Sequence, residues 1–344
     1  MKGESYMSQS SAEPLKDPIE KFNQIANKAI QHFSFLAGSK VDLLNYSENA
    51  TYLVHNPAEN KEKYILRVGR PGYHTKSEVE SELKLLESIG QHTEITVSLP
   101  IPGDNQEYVQ TVKHENEVFN CTLFTFLEGS APEEDNESKL ISQFEILGKI
   151  TAQLHEHSQN HHQNLRDITR LTWDYDTILG SEPKWGRWKN GKAITPERLE
   201  LYEKVSLKIK ERLDRFGKDH SRYGLIHSDL RLANLLVEGE EIKVIDFDDC
   251  GFGWYLYDLA TSLSFIEHKS YVPSLVASWI KGYRKVRSLS VEEEQEIPTF
   301  IMMRRLQLIA WVGSRDNDLT RELGDRFTIE TDPLANNYLE NTTI

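Results

Sequence analysis

Residues 225–260 read LIHSDLRLANLLVEGEEIKVIDFDDCGFGWYLYDLA, and the fold turns on how this stretch is divided. Leu225-Ile226 and Leu235-Leu236-Val237 are short apolar runs. Ile242, Val244 and Ile245 form a third, cut from the second by Glu238-Gly239-Glu240-Glu241, a polar turn carrying a glycine. If the second and third runs pair as a hairpin, the residue entering one strand, Asn234, lies beside the residue leaving the other, Asp246. An amide oxygen and a carboxylate held together on a rigid hairpin suit a hard cation such as magnesium, which takes oxygen ligands and keeps waters or phosphate oxygens. Asp229 stands five residues before Asn234, in a loop introduced by His227. The expected layout is one free carboxylate beside a two-ligand metal site.

Any one of these residues alone is an ordinary turn former. Their joint spacing is more specific: His227-Ser228-Asp229 through Asn234, then Asp246-Phe247-Asp248, follows the H-x-D-x-x-x-x-N and D-F-x pattern of kinase catalytic loops. In that reading Asp229 accepts the proton of an attacking hydroxyl, and Asn234 and Asp246 hold magnesium against nucleotide phosphates. Asp248 and Asp249 follow the metal aspartate and could reach a second metal or the substrate; Asp248 reads equally well as a turn residue.

Outward from this centre the pattern changes twice. Toward the N-terminus, residues 41–46, 51–55 and 64–68 read as strands, the first two separated by Ser47-Glu48-Asn49-Ala50. From Thr75 the period turns helical, with Val79, Leu83, Leu86 and Ile89 on one face and Gly90 as the expected stop. Glu82 borders that stripe. It reads either as a packed-side residue with Arg67 as ionic partner or as one of several solvated glutamates. Strands follow at 107–113 and 118–126, then an acidic composition shift at 127–135 where a hinge is expected. Beyond it the chain is mostly helical. One amphipathic helix is expected to end near His155, and another has Thr195 as N-cap, Pro196 at its first position and Gly217 as its stop. Glu292-Glu293-Glu294 reads as a helix start.

The chain has 344 residues, 38% of them hydrophobic, and a net charge of −14, which makes two lobes the default and argues against a nucleic-acid partner. Cys121 and Cys250 give neither a disulfide framework nor a metal-ligand spacing. No apolar run approaches a membrane span and no signal peptide is evident, so the expectation is a soluble, cytoplasmic protein without a membrane partner.

Taken together, the segments LLNYSENATYLV, YILRVGRPGYH, SEVESELKLL, FTFLEGS, LGKITAQLH, HSDLRLANLLV and VIDFDDCGFGWYLYDLA resemble the aminoglycoside phosphotransferase and choline kinase superfamily, over roughly residues 41–315. The resemblance implies an α+β, protein-kinase-like two-lobed fold. The first lobe would hold an antiparallel sheet with one key helix, and the second, mostly helical, would carry the catalytic-loop hairpin. It also implies a nucleotide-binding lobe (19–127) and a catalytic and acceptor-binding lobe (128–330); the polar composition of residues 1–18, with two prolines, reads as a flexible leader, and residues 331–344 as a tail. Carried over residue by residue, Asp229 matches the catalytic base and Asn234 and Asp246 the magnesium ligands. His227 matches the residue bracing the loop, and Asp258 an aspartate supporting it. Phe126 and Leu127 match the adenine-binding hinge, and Glu82 the helix glutamate paired with the phosphate-binding residue. Two departures stand out. Ser47 through Tyr52 replaces a glycine-rich phosphate loop, leaving backbone amides and the Ser47 or Asn49 side chains to approach phosphate. Arg67 stands where a strand lysine is usual, and the two are not equivalent.

The implied activity is ATP- and magnesium-dependent transfer of a phosphoryl group to a hydroxyl of a small molecule: an aminoglycoside, choline, homoserine or another amino alcohol. A protein serine/threonine kinase and a noncatalytic nucleotide-binding module are the other readings. In residues 171–192, Trp173, Tyr175, Trp185 and Trp188 interleave with Asp174 and Asp176. With Asp249, Trp173 and Asp174 are candidates for an ammonium-binding acceptor pocket, although packing of the tryptophans is the plainer reading. The patch His155-Glu156-His157, His161-His162 lacks HExxH spacing and reads as a solvated helix end rather than a zinc site.

Overall fold

The computed structural model describes residues 18–342 except 48, 57–61, 162–164 and 166. The expected leader, apart from Pro18, thus lies outside the described residues, as do Glu48 and His162. The chain divides into two compact units, residues 1–76 with 101–125, and 77–100 with 126–344.

In the first unit α1 (Pro18–Ala29) precedes the strands β1 (Lys40–Tyr46), β2 (Ala50–His55), β3 (Lys63–Val68), β4 (Pro100–Ile101, of which Ile101 belongs to this unit), β5 (Val109–His114) and β6 (Glu117–Thr125). The sheet order is β1-β2-β3-β6-β4, with β5 also on β6. Strand alternation sends Ala50, Tyr52 and Val54 of β2 to one face. There they pack with Leu66, Val68, Phe119 and Leu123 and with the apolar stripe Phe22, Ile25, Ala26 and Ala29 of α1. Each fully buried large side chain contributes roughly 1.5–3 kcal/mol. Arg67 lies on the central strand β3, opposite Thr51 on one side and Thr122 on the other.

The second unit opens with α2 (Lys76–His92), whose residues from Ser77 belong to it. The helix does not stop at Gly90. A Cβ there would meet Leu99 Cδ2 at 2.8 Å, so this glycine serves close packing rather than a cap. Next comes α3 (Glu137–Asn160), which runs past the expected end near His155 because His155, His157 and Ser158 are buried and prolong its packed face. It packs on α7 (Val272–Tyr283) at glycine contacts: a Cβ on Gly148 would lie 2.0 Å from the Trp279 carbonyl oxygen.

Between these helices the chain forms β7 (Leu171–Trp173), α4 (Tyr175–Ile178), α5 (Pro196–Phe216), β8 (Tyr223–Ile226), β9 (Leu235–Glu238), β10 (Glu241–Val244), β11 (Gly251–Trp254) and α6 (Tyr255–Ser262). Thr195 caps α5 by accepting from the Arg198 amide, and Gly217 ends it at φ 73°. Strand β11 lies between β7, to which it is parallel, and β8, to which it is antiparallel. Helices α8 (Val291–Ser314), α9 (Asp318–Ile329) and α10 (Thr331–Asn341) complete the chain, so the segment expected as a tail is largely helical. Ser290 and Glu293 form a capping box at the start of α8. Among the described residues no helix is long and apolar enough to cross a membrane.

Candidate active site

Strands β9 and β10 pair in the register Leu235↔Val244 through Glu238↔Glu241. Gly239, at φ 62°, turns the hairpin, as a two-residue loop between twisted strands requires. One step beyond the register the Ile245 amide donates to the Asn234 carbonyl at 3.0 Å, so Asn234 adjoins the exit toward Asp246. Asp246 is exposed and sits at φ 63°, a strained conformation that asparagine and aspartate tolerate best. The Asn234 amide nitrogen donates to both the Asp229 carbonyl and Asp229 Oδ2, each at 2.8 Å. Both amide hydrogens are thereby used, and the Asn234 side-chain oxygen is left as an acceptor.

The loop leaving β8 is held from beneath by Asp258 on α6. This fully buried carboxylate accepts from the amides of His227 (3.1 Å) and Ser228 (2.7 Å) and from His155 Nε2 (3.0 Å). Ser228 adopts φ 61°, a conformation these bonds hold in place. The His227 ring has a defined tautomer. Its Nδ1 faces the Asp229 amide, which can only donate (3.2 Å), and its Nε2 faces the Ile245 carbonyl, which can only accept (3.1 Å). The proton is therefore on Nε2. Burial pushes the His227 pKa down despite Asp258 and Asp229, so the ring is a neutral brace.

Asp229 meets two cations. Arg304 Nη2 on α8 donates to its Oδ1 at 2.6 Å, and Arg231 Nε lies 3.3 Å from Oδ2. Burial alone would raise the carboxyl pKa, but Arg231 and Arg304 outweigh it and hold Asp229 below the ordinary carboxylate range. Arg304 is 1% exposed, donates to Ser264 and Gln307, and lies over the Trp185 ring.

The remaining sequence candidates fall into three groups. Asp248 and Asp249 share the turn after Asp246. The Asp248 carbonyl accepts from buried Arg170, which also donates to the carbonyls of Cys250 and of Glu78 at the start of α2. Glu82, 1% exposed, belongs to this second unit and helps keep Arg170 charged against its burial. Phe126 and Leu127, half-buried, lead into a bridge in which Ser130 and Val237 exchange amide–carbonyl bonds.

In the sheet unit, Ser47 is exposed and Asn49 Oδ1 accepts the Arg70 amide at 3.0 Å, tying the β1–β2 turn to the end of β3. The Arg67 guanidinium stacks over Phe124 at 5.2 Å.

Two acceptor candidates are occupied otherwise. Trp173 is 1% exposed, lies edge-on to Trp185 and donates its indole N–H to the Asp249 carbonyl, so it packs rather than presenting a face to a ligand. Asp174 is the N-cap of α4 and pairs with Lys218 at 2.8 Å. The histidine patch is not a solvated helix end either. His155 is fully buried between Tyr283 and Asp258, and His157 is 4% exposed.

Residues 44–289 match the model of the phosphotransferase enzyme family. The chain belongs to that family. It is an enzyme that transfers phosphoryl groups, with a kinase-like α+β fold. The solved structure of a microcompartment-associated aminopropanol kinase superposes on this phosphotransferase with a TM-score of 0.83 and 37% identity, covering 93% of this chain and 98% of that one. Amicoumacin kinase of Bacillus subtilis (strain 168) is 21% identical over 279 residues, 78% of this chain and 79% of that protein. A homoserine kinase of Zymomonas mobilis is 24% identical over 294 residues, 83% of each.

Sequence reading of this phosphotransferase missed Arg304 and Arg170. Arg304 had a signal: it lies in FIMMRRLQLIAWV, where a charged residue within an apolar helical run implies a buried partner. Arg170 had none, since its work is done on backbone carbonyls that composition does not reveal.

Proposed function

We propose that this phosphotransferase moves the γ-phosphoryl group of ATP to the hydroxyl of a small amino alcohol, with Asp229 aligning that hydroxyl and Asn234 and Asp246 holding magnesium. The observation that carries the reading is the fixing of Asp229 and Asn234 to each other by two 2.8 Å hydrogen bonds. An amide oxygen left as an acceptor and an exposed carboxylate at the hairpin exit are hard oxygen donors of the kind magnesium takes. The metal would neutralise phosphate charge. Asp229, kept ionised by Arg304 and Arg231, is a weak base in the ground state. Its role is to orient the acceptor hydroxyl by accepting its hydrogen bond and to receive the proton as the new O–P bond forms.

His227 and Asp258 keep the loop in register. Arg67, Ser47 and Asn49 are the candidate phosphate contacts, Glu82 the candidate partner of Arg67, and Phe126 and Leu127 the candidate adenine contacts. Asp249 is the remaining acceptor candidate. The amino-alcohol assignment rests on the 37% identity to an aminopropanol kinase and accords with the acidic balance of the chain, −14.

The test is ADP release with ATP and magnesium against aminopropanol, ethanolamine, choline, homoserine, aminoglycosides and a generic protein. Each is run beside Asp229→Asn and beside a chelator control. One small amino alcohol should stimulate release, the chelator should abolish it, and Asp229→Asn should reduce kcat by about 10²–10⁴-fold. Stimulation by protein alone, or bound ATP with no turnover on any acceptor, would reject the proposal.

A further inference from the structure

Away from the Asp229 loop, α2 and α3 bring three histidines together. The imidazole nitrogens offered by His92, His157 and His161 all lie within 4.8 Å of one another. His92 is in the last turn of α2; His157 is in the last turn of α3, and His161, four residues on, is its C-cap. The sequence patch, set aside for lacking HExxH spacing, did not include His92, which is far off in the chain. The two helices supply it.

The hydrogen bonds around the cluster favour ligation. His92 Nδ1 lies 2.9 Å from the Ser88 carbonyl oxygen, which can only accept, so the His92 proton is on Nδ1 and Nε2 carries a lone pair. A histidine that donates its other ring N–H to a backbone carbonyl is the arrangement that orients metal ligands. Ser88 Oγ holds His157 Nε2 at 2.9 Å, so one serine positions both rings. The His161 ring makes no hydrogen bond to a described residue, although it stacks on His157 with centroids 4.7 Å apart and lies 4.3 Å from His92.

We propose that His92, His157 and His161 form a three-histidine site for a borderline transition-metal ion of the zinc class, tying the last turn of α2 to the last turn of α3. Three imidazole nitrogens without a carboxylate select against magnesium and calcium and suit zinc, cobalt, nickel or copper. A tetrahedral zinc ion with bonds of about 2.0–2.1 Å sets its nitrogens roughly 3.4 Å apart. Side-chain rotation closes the difference from the 4.8 Å envelope, and water completes the fourth position. The site is separate from the phosphoryl-transfer residues.

The test is titration of the full-length, chelator-treated protein with cobalt(II) at pH 7.5, followed by ligand-field absorption and then displacement by zinc. His92 is exposed and His161 half-buried, so His92→Asn and His161→Asn serve as variants that keep the fold, checked by circular dichroism. Wild type should bind one equivalent with a four-coordinate spectrum. Changing an outer-shell partner already costs about 10–100-fold in affinity, so each loss of a ligand should weaken binding by more than about 10-fold. Binding below one equivalent, an octahedral aquo-type spectrum, or a weakening under about 10-fold in both variants would overturn the site.

Discussion

Arg304 Nη2 lies 2.6 Å from Asp229 Oδ1, and both groups are buried. An ion pair in such a place is costly to break from one side, because the charge left behind keeps only its longer ionic contact, here Arg231 at 3.3 Å. Arg304→Met should lower unfolding free energy by about 3–5 kcal/mol and reduce kcat, since Asp229 would then turn toward Arg231. Arg304→Lys keeps the charge but not the fork that also reaches Ser264 and Gln307, and should recover stability only in part. Urea unfolding of the two variants, with steady-state rates at saturating ATP, checks this. A stable, fully active Arg304→Met would show that the pair positions nothing.

Asp258 accepts from two loop amides and from His155. In Asp258→Asn, one carboxylate oxygen becomes an NH₂ that must face a donor. A buried unsatisfied or opposed polar group costs about 1–3 kcal/mol. The variant should lose about that much stability, and kcat should fall as Ser228 is released from its left-handed conformation. Hydrogen exchange of the Ser228 amide reports the release directly; protection equal to wild type would contradict it.

The pH dependence of stability has a definite sign. Burial lowers the folded pKa of His227, and likewise of His155, below the ordinary 6.5. Below about pH 6.5 the unfolded chain therefore binds protons that the folded chain refuses. The stabilisation is fully present above that pH and is lost progressively as the pH falls toward the folded values. The urea midpoint of metal-free protein should drop between pH 7.5 and pH 5.5. A midpoint that holds steady or rises on acidification would contradict neutral burial.

Gly148 allows α3 to meet α7 at backbone distance, with the Trp279 carbonyl oxygen 2.0 Å from where a Cβ would stand. Neither partner is a flexible side chain, so Gly148→Ala must push the helices apart. The expected loss is at least the roughly 1–3 kcal/mol of an overpacked core, against a helix-propensity gain of about 1 kcal/mol. Thermal unfolding measures the balance. A raised Tm would mean that the contact yields easily.

Local elements were legible in the chain wherever a short-range rule governs them. The β9–β10 hairpin follows from two apolar runs and one glycine, and it alone sets Asn234 next to the exit of Asp246. The caps of α5 were equally plain, since Thr195, Pro196 and Gly217 each act on backbone within one turn. Gly90 misled, because a glycine that ends a helix and one that admits a neighbouring leucine look alike in sequence. Trp173 and Asp174 offered two readings for a related reason: an aromatic ring beside a carboxylate suits a cation and suits packing equally, and here, as the plainer reading has it, the indole N–H and the carboxylate are taken by a carbonyl and a helix start.

Covalent spacing and a tight hairpin fix the order His227, Asp229, Asn234 and then Asp246 in the loop and leave these residues little freedom, so this much was in the sequence alone. Only the tertiary structure decided what surrounds them. Arg304 reaches Asp229 from 75 residues away, Asp258 rises beneath the loop from α6, and His92 joins two histidines on another helix. Those meetings depend on how helices pack. Packing is set by the summed fit of many side chains, and no single residue type or spacing records it.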